Sequence, residues 1–390
     1  MRLLLLAGCT AALWLTNYIA TSLTILPLPP LTHSSSLLFP ASSSRTATAS
    51  PLQQGISTWI AATPAPPSSA DIQLLRQAFA EFYGMNRDLP KSLELLNAVI
   101  ERWQGQAPEE VAGLYRVRGD CHFALADASA AAADYDQAVQ LIQKSNGQDE
   151  LAVALLGRAR ANKSMLRPGD SKTAMNIAKD YQLGLQLTGR QEDWDTDEEL
   201  ILDGIRRNPY AAWEWALVLR VAEDYNKAAE IHQLAAEAFD EIGDKAHSSI
   251  SWVDAALDTS NSNLLKTVLA VKFDKGVVEG RDSEMVQRVL AKESEANMAL
   301  AALYWSAGER SPAEEQLQNA CSRLGKVQQV LSKVNNAKEK EDEALRLAYS
   351  IDDHPVLLDC SEYRNDDLLK TKLDWPESLR TKMGQLQKVR

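Results

Sequence analysis

The chain has 390 residues, of which 45% are hydrophobic and 24% are charged, and it carries a formal net charge of −12. Its length exceeds what one hydrophobic core usually holds, and its composition is ordinary for a helical globular protein. Residues 1–70 hold only two charged side chains, both arginines, so the body beyond residue 70 carries a charge of about −14. An acidic body argues against nucleic acid as the main partner.

The first 22 residues have the features of a targeting segment. Arg2 precedes an uncharged run whose strongly apolar part, Leu3–Leu15, has the length of a signal-peptide core and is short for a membrane span. The sequence therefore predicts a signal peptide over 1–22, and a retained membrane anchor is the alternative. Membrane contact is expected only through this segment, and only if it is uncleaved.

Residues 23–70 are rich in Ser, Thr, Ala and Pro and contain no acidic residue. Such a composition cannot bury enough apolar surface to offset the cost of ordering the backbone, so disorder is predicted. A signal-like segment, then Leu38–Ala41, then an acid-poor Ser-rich tract resembles the two-part plastid presequence of algae with secondary plastids. The resemblance implies a plastid location. A protein of the secretory pathway, secreted or held by its N-terminal segment, stays open as the alternative.

Helical periodicity begins at Asp71 and predicts a repeat domain over 71–324. In its clearest unit, Asn208–Asp244, Pro209 opens a first helix and Asp224–Tyr225 turns the chain into a second. The same frame recurs over 111–141 and 295–324, more faintly over 73–103, and with a late turn over 150–187. These copies exceed the roughly three units that a continuous stacked core requires. Small residues recur where paired helices must touch: Ala80, Ser92, Gly119, Ala131, Ala138, Gly184, Ala216, Ala228, Ala235, Ala301, Ala313 and Ala320.

This spacing resembles the tetratricopeptide repeat (TPR), a helix-turn-helix unit with small residues at fixed positions. The resemblance implies an all-α fold, a right-handed α-solenoid whose first helices line a concave groove for another protein or peptide. Gln77 and Glu81 replace the Lys and Asn of chaperone-tail clamps, which disfavours that mode. The consensus groove positions fall on Arg116, Asp120, Phe123, Tyr210, Trp213, Arg220, Met298 and Trp305.

Aromatic residues and arginine are the types that interface hot spots favour, which supports a protein-binding groove. The two tryptophans of the set, Trp213 and Trp305, have an alternative role, since both would serve equally well as packing residues between neighbouring repeats.

Composition changes again after Leu324, so 325–390 is predicted to be a separate C-terminal region. An apolar stripe from Val327 to Ala348 predicts one long capping helix, interrupted by a charged block and followed by a tail. The tail, together with the run Asn208–Trp215, resembles chloroplast TPR proteins of plants and algae. That resemblance implies scaffolding during plastid or thylakoid protein assembly. The tail residues that carry it are Cys360, Tyr363, Trp375 and Pro376.

Three stretches resemble reactive sites but depart from them. Gly157–Ser164 has the length of a phosphate-binding loop, yet it lies in a predicted helix and Asn162 replaces a required glycine. The alternating aspartates of 193–197 resemble a calcium loop without its glycine, and Thr196 with Glu199 predicts a helix-capping box instead. The five histidines are too scattered for a zinc site.

The cysteines give no recognisable framework. One lies in the predicted signal, and the others, Cys121, Cys321 and Cys360, form an odd set with wide spacing, so a disulfide is not predicted. Cys121 and Cys321 are expected to be free apolar thiols in helix contacts, and Cys360 is the candidate for redox activity. Together these observations predict a non-catalytic adaptor with no cofactor and no metal, whose partner is another protein.

Overall fold

The computed structural model describes residues 67–84, 87–143, 148–189, 196–273, 283–334 and 358–388. Within these ranges the regular elements are fifteen α-helices and one 3₁₀ turn, and none is a strand. The predicted all-α class is therefore confirmed for this part of the chain. No helix in it is long and apolar enough to cross a bilayer. The predictions made for residues 1–66 lie outside the described residues.

Twelve of these helices pack as six hairpins of consecutive helices, and each hairpin also contacts the next one along the chain. The short helix α7, Asp197–Arg207, is inserted after the third hairpin and packs on the helices to either side. The hairpins are α1 (Ser69–Tyr83) with α2 (Leu89–Trp103), α3 (Pro108–Ala124) with α4 (Ala128–Ile142), α5 (Gln148–Ser164) with α6 (Ser171–Thr188), α8 (Pro209–Val221) with α9 (Tyr225–Glu241), α10 (Lys245–Asp258) with α11 (Ser262–Val271), and α12 (Ser283–Ser306) with α13 (Arg310–Val334).

Five of the six turns inside the hairpins share one cap. An Asp or Asn side chain accepts a hydrogen bond from the backbone three residues later and so caps the second helix, as Asp127 and Asp224 do. In four of these five turns the residue before the cap has a left-handed backbone, with φ of 62° at Ala126 and 63° at Glu223. This conformation ends the first helix because it turns the chain out of the helical path.

The small residues of the predicted frame lie where helices touch. Eleven of the twelve are buried, and the exception is Ala80, which is exposed while its neighbour Ala78 is buried. Gly119 shows why size matters here, because a Cβ at this position would lie 3.1 Å from the ring of Tyr135. The frame therefore identifies the contacts correctly in every copy except at this one position of the first hairpin.

The hairpin of α10 and α11 escaped the sequence frame. Its contact positions carry Val253 and Leu265, both fully buried, where the copies that fit the frame have small residues. A search for small residues cannot find a unit whose helix contacts are made by large side chains.

The C-terminal region starts inside a helix. α13 runs without a break across residue 324, so the apolar stripe that begins at Val327 continues the last hairpin up to Val334. The rest of the predicted capping helix lies outside the described residues. The tail then forms a 3₁₀ turn, Glu362–Arg364, followed by α14 (Asp366–Thr371) and α15 (Glu377–Lys388), and α15 packs on α12.

The tail is anchored by aromatic residues and by a disulfide. Tyr363 and Trp375 are fully buried with their rings 5.9 Å apart, inside the core that α10 to α13 build. Cys321 on α13 is bonded to Cys360, with the Cα atoms 5.2 Å apart. The expectation of free thiols at these two positions was wrong, because spacing in sequence says nothing about a tail that folds back on the last hairpin. Cys121 is free and buried, as predicted.

Candidate functional site

On α3 the predicted groove residues form a small polar group with one aromatic residue. Arg116 Nη1 lies 2.9 Å from Asp120 Oδ2, and the Tyr135 hydroxyl donates to Asp120 Oδ1 at 2.6 Å. Loss of contact with water raises the pKa of Asp120, and the positive charge of Arg116 offsets this rise only in part. The Asp120 side chain nevertheless stays 30% exposed. Phe123 is half-buried against the core around Tyr135.

The next hairpin continues this row through a pair that the sequence frame did not select. Arg160 on α5 holds Glu214 on α8 with hydrogen bonds of 3.0, 3.1 and 2.9 Å, while its own side chain is 46% exposed. Lys163 Nζ lies 4.0 Å from the same carboxylate. Attraction to Glu214 raises the pKa of Arg160, so the guanidinium stays charged. Arg160 and Lys163 belong to the copy with the late turn, in which the sequence analysis assigned no groove positions.

On α8 two predicted residues, Tyr210 and Trp213, surround a histidine of α10. The Tyr210 hydroxyl donates to Asp244 Oδ2 at 2.8 Å, and His247 Nδ1 lies 2.7 Å from the same oxygen. The rings of Tyr210 and Trp213 meet that of His247 edge-on at 4.9 and 5.8 Å. Both predicted residues are partly exposed, and the Trp213 indole N–H has no acceptor among the described residues.

The third predicted residue of α8, Arg220, lies in the interior. It is 4% exposed, and its Nη1 bonds to Asp254 Oδ1 at 3.0 Å while its Nη2 donates to the Leu373 carbonyl of the tail at 2.7 Å. Its Nε lies 2.9 Å from Asp258 Oδ1 as an ion pair, although the angle is not that of a hydrogen bond. Arg220 thus joins α8, α10 and the tail.

The two predicted residues of α12 are also inside the fold. Met298 is fully buried in the core shared with the tail, and Trp305 is 7% exposed beneath the guanidinium of Arg310, whose centre lies 3.7 Å from the ring. The alternative role of Trp305 as a packing residue matches this position. The eight predicted residues therefore divide into five that reach solvent, on α3 and α8, and three that are buried.

A cavity of about 280 Å³ lies beside Trp213 and His247. α5, α8, α10 and α12 contribute to its wall, and the tail closes one side with Lys372, Leu373 and Asp374. We call the row from Arg116 through Arg160 to this cavity the first-helix face. The frame missed most of the cavity because α10 was not recognised and the tail is far away in sequence.

A buried polar cluster forms the deep part of the cavity wall. Lys292 Nζ is 2.9 Å from Asp254 Oδ1 and 2.6 Å from Glu295 Oε2, and the Trp375 indole N–H donates to Glu295 Oε1 at 2.8 Å. Burial opposes ionisation of Asp254, but Lys292 and Arg220 outweigh it and lower its pKa to about 2. The pairing explains how these charges can be buried at all.

Asp374, on the tail, has the opposite balance. Burial raises its pKa to about 6, and the nearby Arg220 lowers it only in part. Its backbone is left-handed, with φ of 48°. A carboxylic acid with this pKa takes up a proton in mildly acidic solution.

The cavity is asymmetric in charge. Two of its three carboxylates lie deep, with side-chain exposures of 1% for Asp254 and 4% for Glu295, and the third, Asp374 on the tail, is half-buried. Arg220 is buried, but the three lysines of the wall lie nearer to water, with 18% for both Lys163 and Lys292, and Lys372 is exposed. A dissolved molecule therefore meets positive charge first in a chain that is acidic as a whole.

The other sequence candidates are placed as follows. Gly157–Ser164 lies within α5, so its amides bond along the helix, and the Thr196–Glu199 capping box at the start of α7 is confirmed. Asp193 and Asp195 lie outside the described residues. Among the residues that the structure describes, no group of His, Cys, Asp and Glu side chains has the arrangement of a metal site. No protein-family model and no curated protein matches the chain.

Proposed function

We propose that this chain is a non-catalytic scaffold of the TPR class, a right-handed α-solenoid that binds another protein along the first-helix face. The observation that carries the proposal is the cavity beside Trp213, because four successive hairpins and the tail each contribute to its wall. A surface built by several repeats can recognise an extended segment, whereas one hairpin alone cannot.

The first-helix face is also fixed in advance of binding. Arg116, Asp120 and Arg160 reach water while ion pairs hold their side chains in place. Ordering such side chains during binding costs about 0.5–1.5 kcal/mol each, so a face that is already ordered binds with less loss. Trp213 and Tyr210 supply the aromatic area on which binding hot spots usually depend.

The location is part of the proposal and rests on the resemblance of the N-terminal segment and the tail to plastid proteins. A plastid scaffold that assists assembly of a thylakoid complex is the leading reading, and an adaptor of the secretory pathway is the alternative. Residues 1–70 fused to a fluorescent reporter distinguish them, since reporter confined to the secretory pathway would contradict the plastid reading.

Photo-crosslinking tests the binding face directly. The photoreactive amino acid benzoylphenylalanine replaces Phe123 or Trp213, both partly exposed on this face, in the full chain expressed in its native source. The control position is Ile242, which is 53% exposed at the turn between α9 and α10. We expect one protein, identified by mass spectrometry, to crosslink at Phe123 and Trp213 but not at Ile242. Crosslinks at all three positions, or at none, would exclude the first-helix face as the binding site.

A further inference from the structure

We infer that the cavity beside Trp213 takes an acidic, apolar-containing peptide segment, in which a carboxylate side chain adjoins a Leu-like residue. The inference rests on the proposed function and specifies its partner. Two properties of the cavity support it independently: the order in which its charges meet solvent, and the apolar part of its wall.

The charges select an anion. Lys163 and Lys372 approach the cavity from α5 and from the tail, where the half-buried Asp374 is the one opposing carboxylate, while Asp254 and Glu295 are buried and already bound by Lys292. An incoming carboxylate gains attraction from these lysines without first displacing a buried ion pair. An incoming cation meets the lysines before it can reach Asp254 or Glu295, so a basic segment is disfavoured.

The apolar wall selects what accompanies the anion. Leu217, Val221 and Ile250 line the cavity together with Trp213. A volume of about 280 Å³ holds one or two side chains and lies at the small end of the range for ligand pockets. A purely polar anion would leave this apolar surface in contact with water, whereas a Leu-like side chain covers it and gains burial free energy.

The tail completes the site. Lys372 reaches the cavity only because Arg220 bonds to the Leu373 carbonyl and Trp375 to Glu295, contacts that hold the tail segment against α8 and α12. The chain therefore builds part of its binding site from residues far apart in sequence. This arrangement gives a matched pair of variants: Lys372 lines the cavity, while Lys370, two residues earlier and exposed on α14, does not.

The experiment measures fluorescence polarisation of three labelled peptides with the full chain. One peptide alternates Leu and Asp, the second alternates Leu and Asn and so lacks charge, and the third alternates Ser and Asp and so lacks apolar side chains. We expect only the Leu-Asp peptide to bind well, with an affinity that falls as salt is added. Lys372→Glu should weaken its binding roughly fivefold to tenfold, and Lys370→Glu should leave it unchanged.

Two results would overturn the inference. Equal binding of the Leu-Asn peptide would remove the role of charge, and equal weakening by Lys370→Glu would reduce the effect to overall charge. Absence of binding by the Leu-Asp peptide, together with specific crosslinks at Phe123 and Trp213, would reject this peptide class while the proposed function stands. Absence of both would reject the two together.

Discussion

At the scale of single residues, the fold depends on how closely helix backbones approach. Gly204 on α7 lies against the backbone of α6, where an added Cβ would come within 2.7 Å of the Leu185 carbonyl carbon and still closer to its oxygen. Backbone atoms cannot rotate away as a side chain does, so space at this position is fixed. By contrast, a Cβ at Gly113 on α3 meets nothing within 4 Å.

These two glycines give the first prediction. Gly204→Ala should lower the free energy of unfolding by about 1–3 kcal/mol, because α7 must shift to relieve the clash. Gly113→Ala should raise it by about 0.5–1 kcal/mol, because alanine costs less conformational entropy in a helix. Chemical denaturation followed by helical circular dichroism measures both. Equal effects of the two substitutions would contradict the close contact between α6 and α7.

At the scale of elements, sequence periodicity identifies hairpins whose contacts depend on small residues. The hairpins that contain Ala216 and Ala301 were predicted because alanine recurs at fixed spacing in the sequence where their helices touch. The α10–α11 unit was not, because Val253 and Leu265 fill the same positions. The spacing of small residues identifies only hairpins whose helices touch through small residues. A hairpin that packs through larger residues cannot be recognised in this way.

The tail is the second element that periodicity could not place. Tyr363 and Trp375 were noticed as a motif, but their burial on α12 follows from contacts that no local pattern encodes. The groove prediction was limited for the same reason, because Arg220 was assigned to an open surface while the tail covers it. Contacts between residues distant in sequence decided which predicted site residues reach solvent.

The disulfide gives the prediction at this scale. The Cys321–Cys360 bond closes a loop across a sequence separation of 39, and its loss should weaken tail docking by about 2–4 kcal/mol. Because Tyr363, Trp375 and Leu379 stay apolar and buried, the tail should loosen without a change in helical content. Hydrogen exchange measured by mass spectrometry should show faster exchange in 358–388 after reduction, with α3 and α4, which do not contact the tail, unchanged.

Cys360→Ser is the control for the reductant itself. This variant should exchange rapidly in 358–388 from the start and show no further change when reductant is added. Exchange in the tail that is insensitive to both treatments would mean that the aromatic contacts alone hold it.

At the scale of the whole described chain, arginine side chains connect elements that are far apart in sequence. Arg160 binds Glu214 across 54 residues, and Arg220 binds Leu373 across 153. Sequence patterns gave the helices that carry these groups but not the pairs, because a charged residue on a helix has many possible partners. Near these contacts lies Asp374, and the charged groups that act on its carboxyl are Arg220, Asp258, Glu295 and Lys292.

Asp374 makes the stability of this assembly depend on pH. Burial raises its pKa from 3.8 to about 6, so between these values the folded protein holds a proton that the unfolded chain releases. The free energy of unfolding therefore falls as pH rises from about 4 to about 6 and levels off above that. At lower pH the trend reverses. Asp254 has a pKa of about 2 in the folded protein and 3.8 in the unfolded chain, so between these values the unfolded chain binds a proton that the folded protein does not, and the free energy of unfolding falls as pH falls.

Asp374→Asn should remove the upper part of this dependence. Asparagine keeps the shape of the protonated acid and adopts a left-handed backbone readily, so the loop around φ of 48° is preserved. We compare the free energy of unfolding of the variant with that of the original chain at each pH. The difference in favour of the variant should be about 1–3 kcal/mol larger at pH 7 than at pH 4. Urea denaturation at a series of pH values measures this difference. Asp367→Asn, at an exposed position of α14, is the matched control and should leave the slope unchanged; an equal change in both would place the titrating group elsewhere.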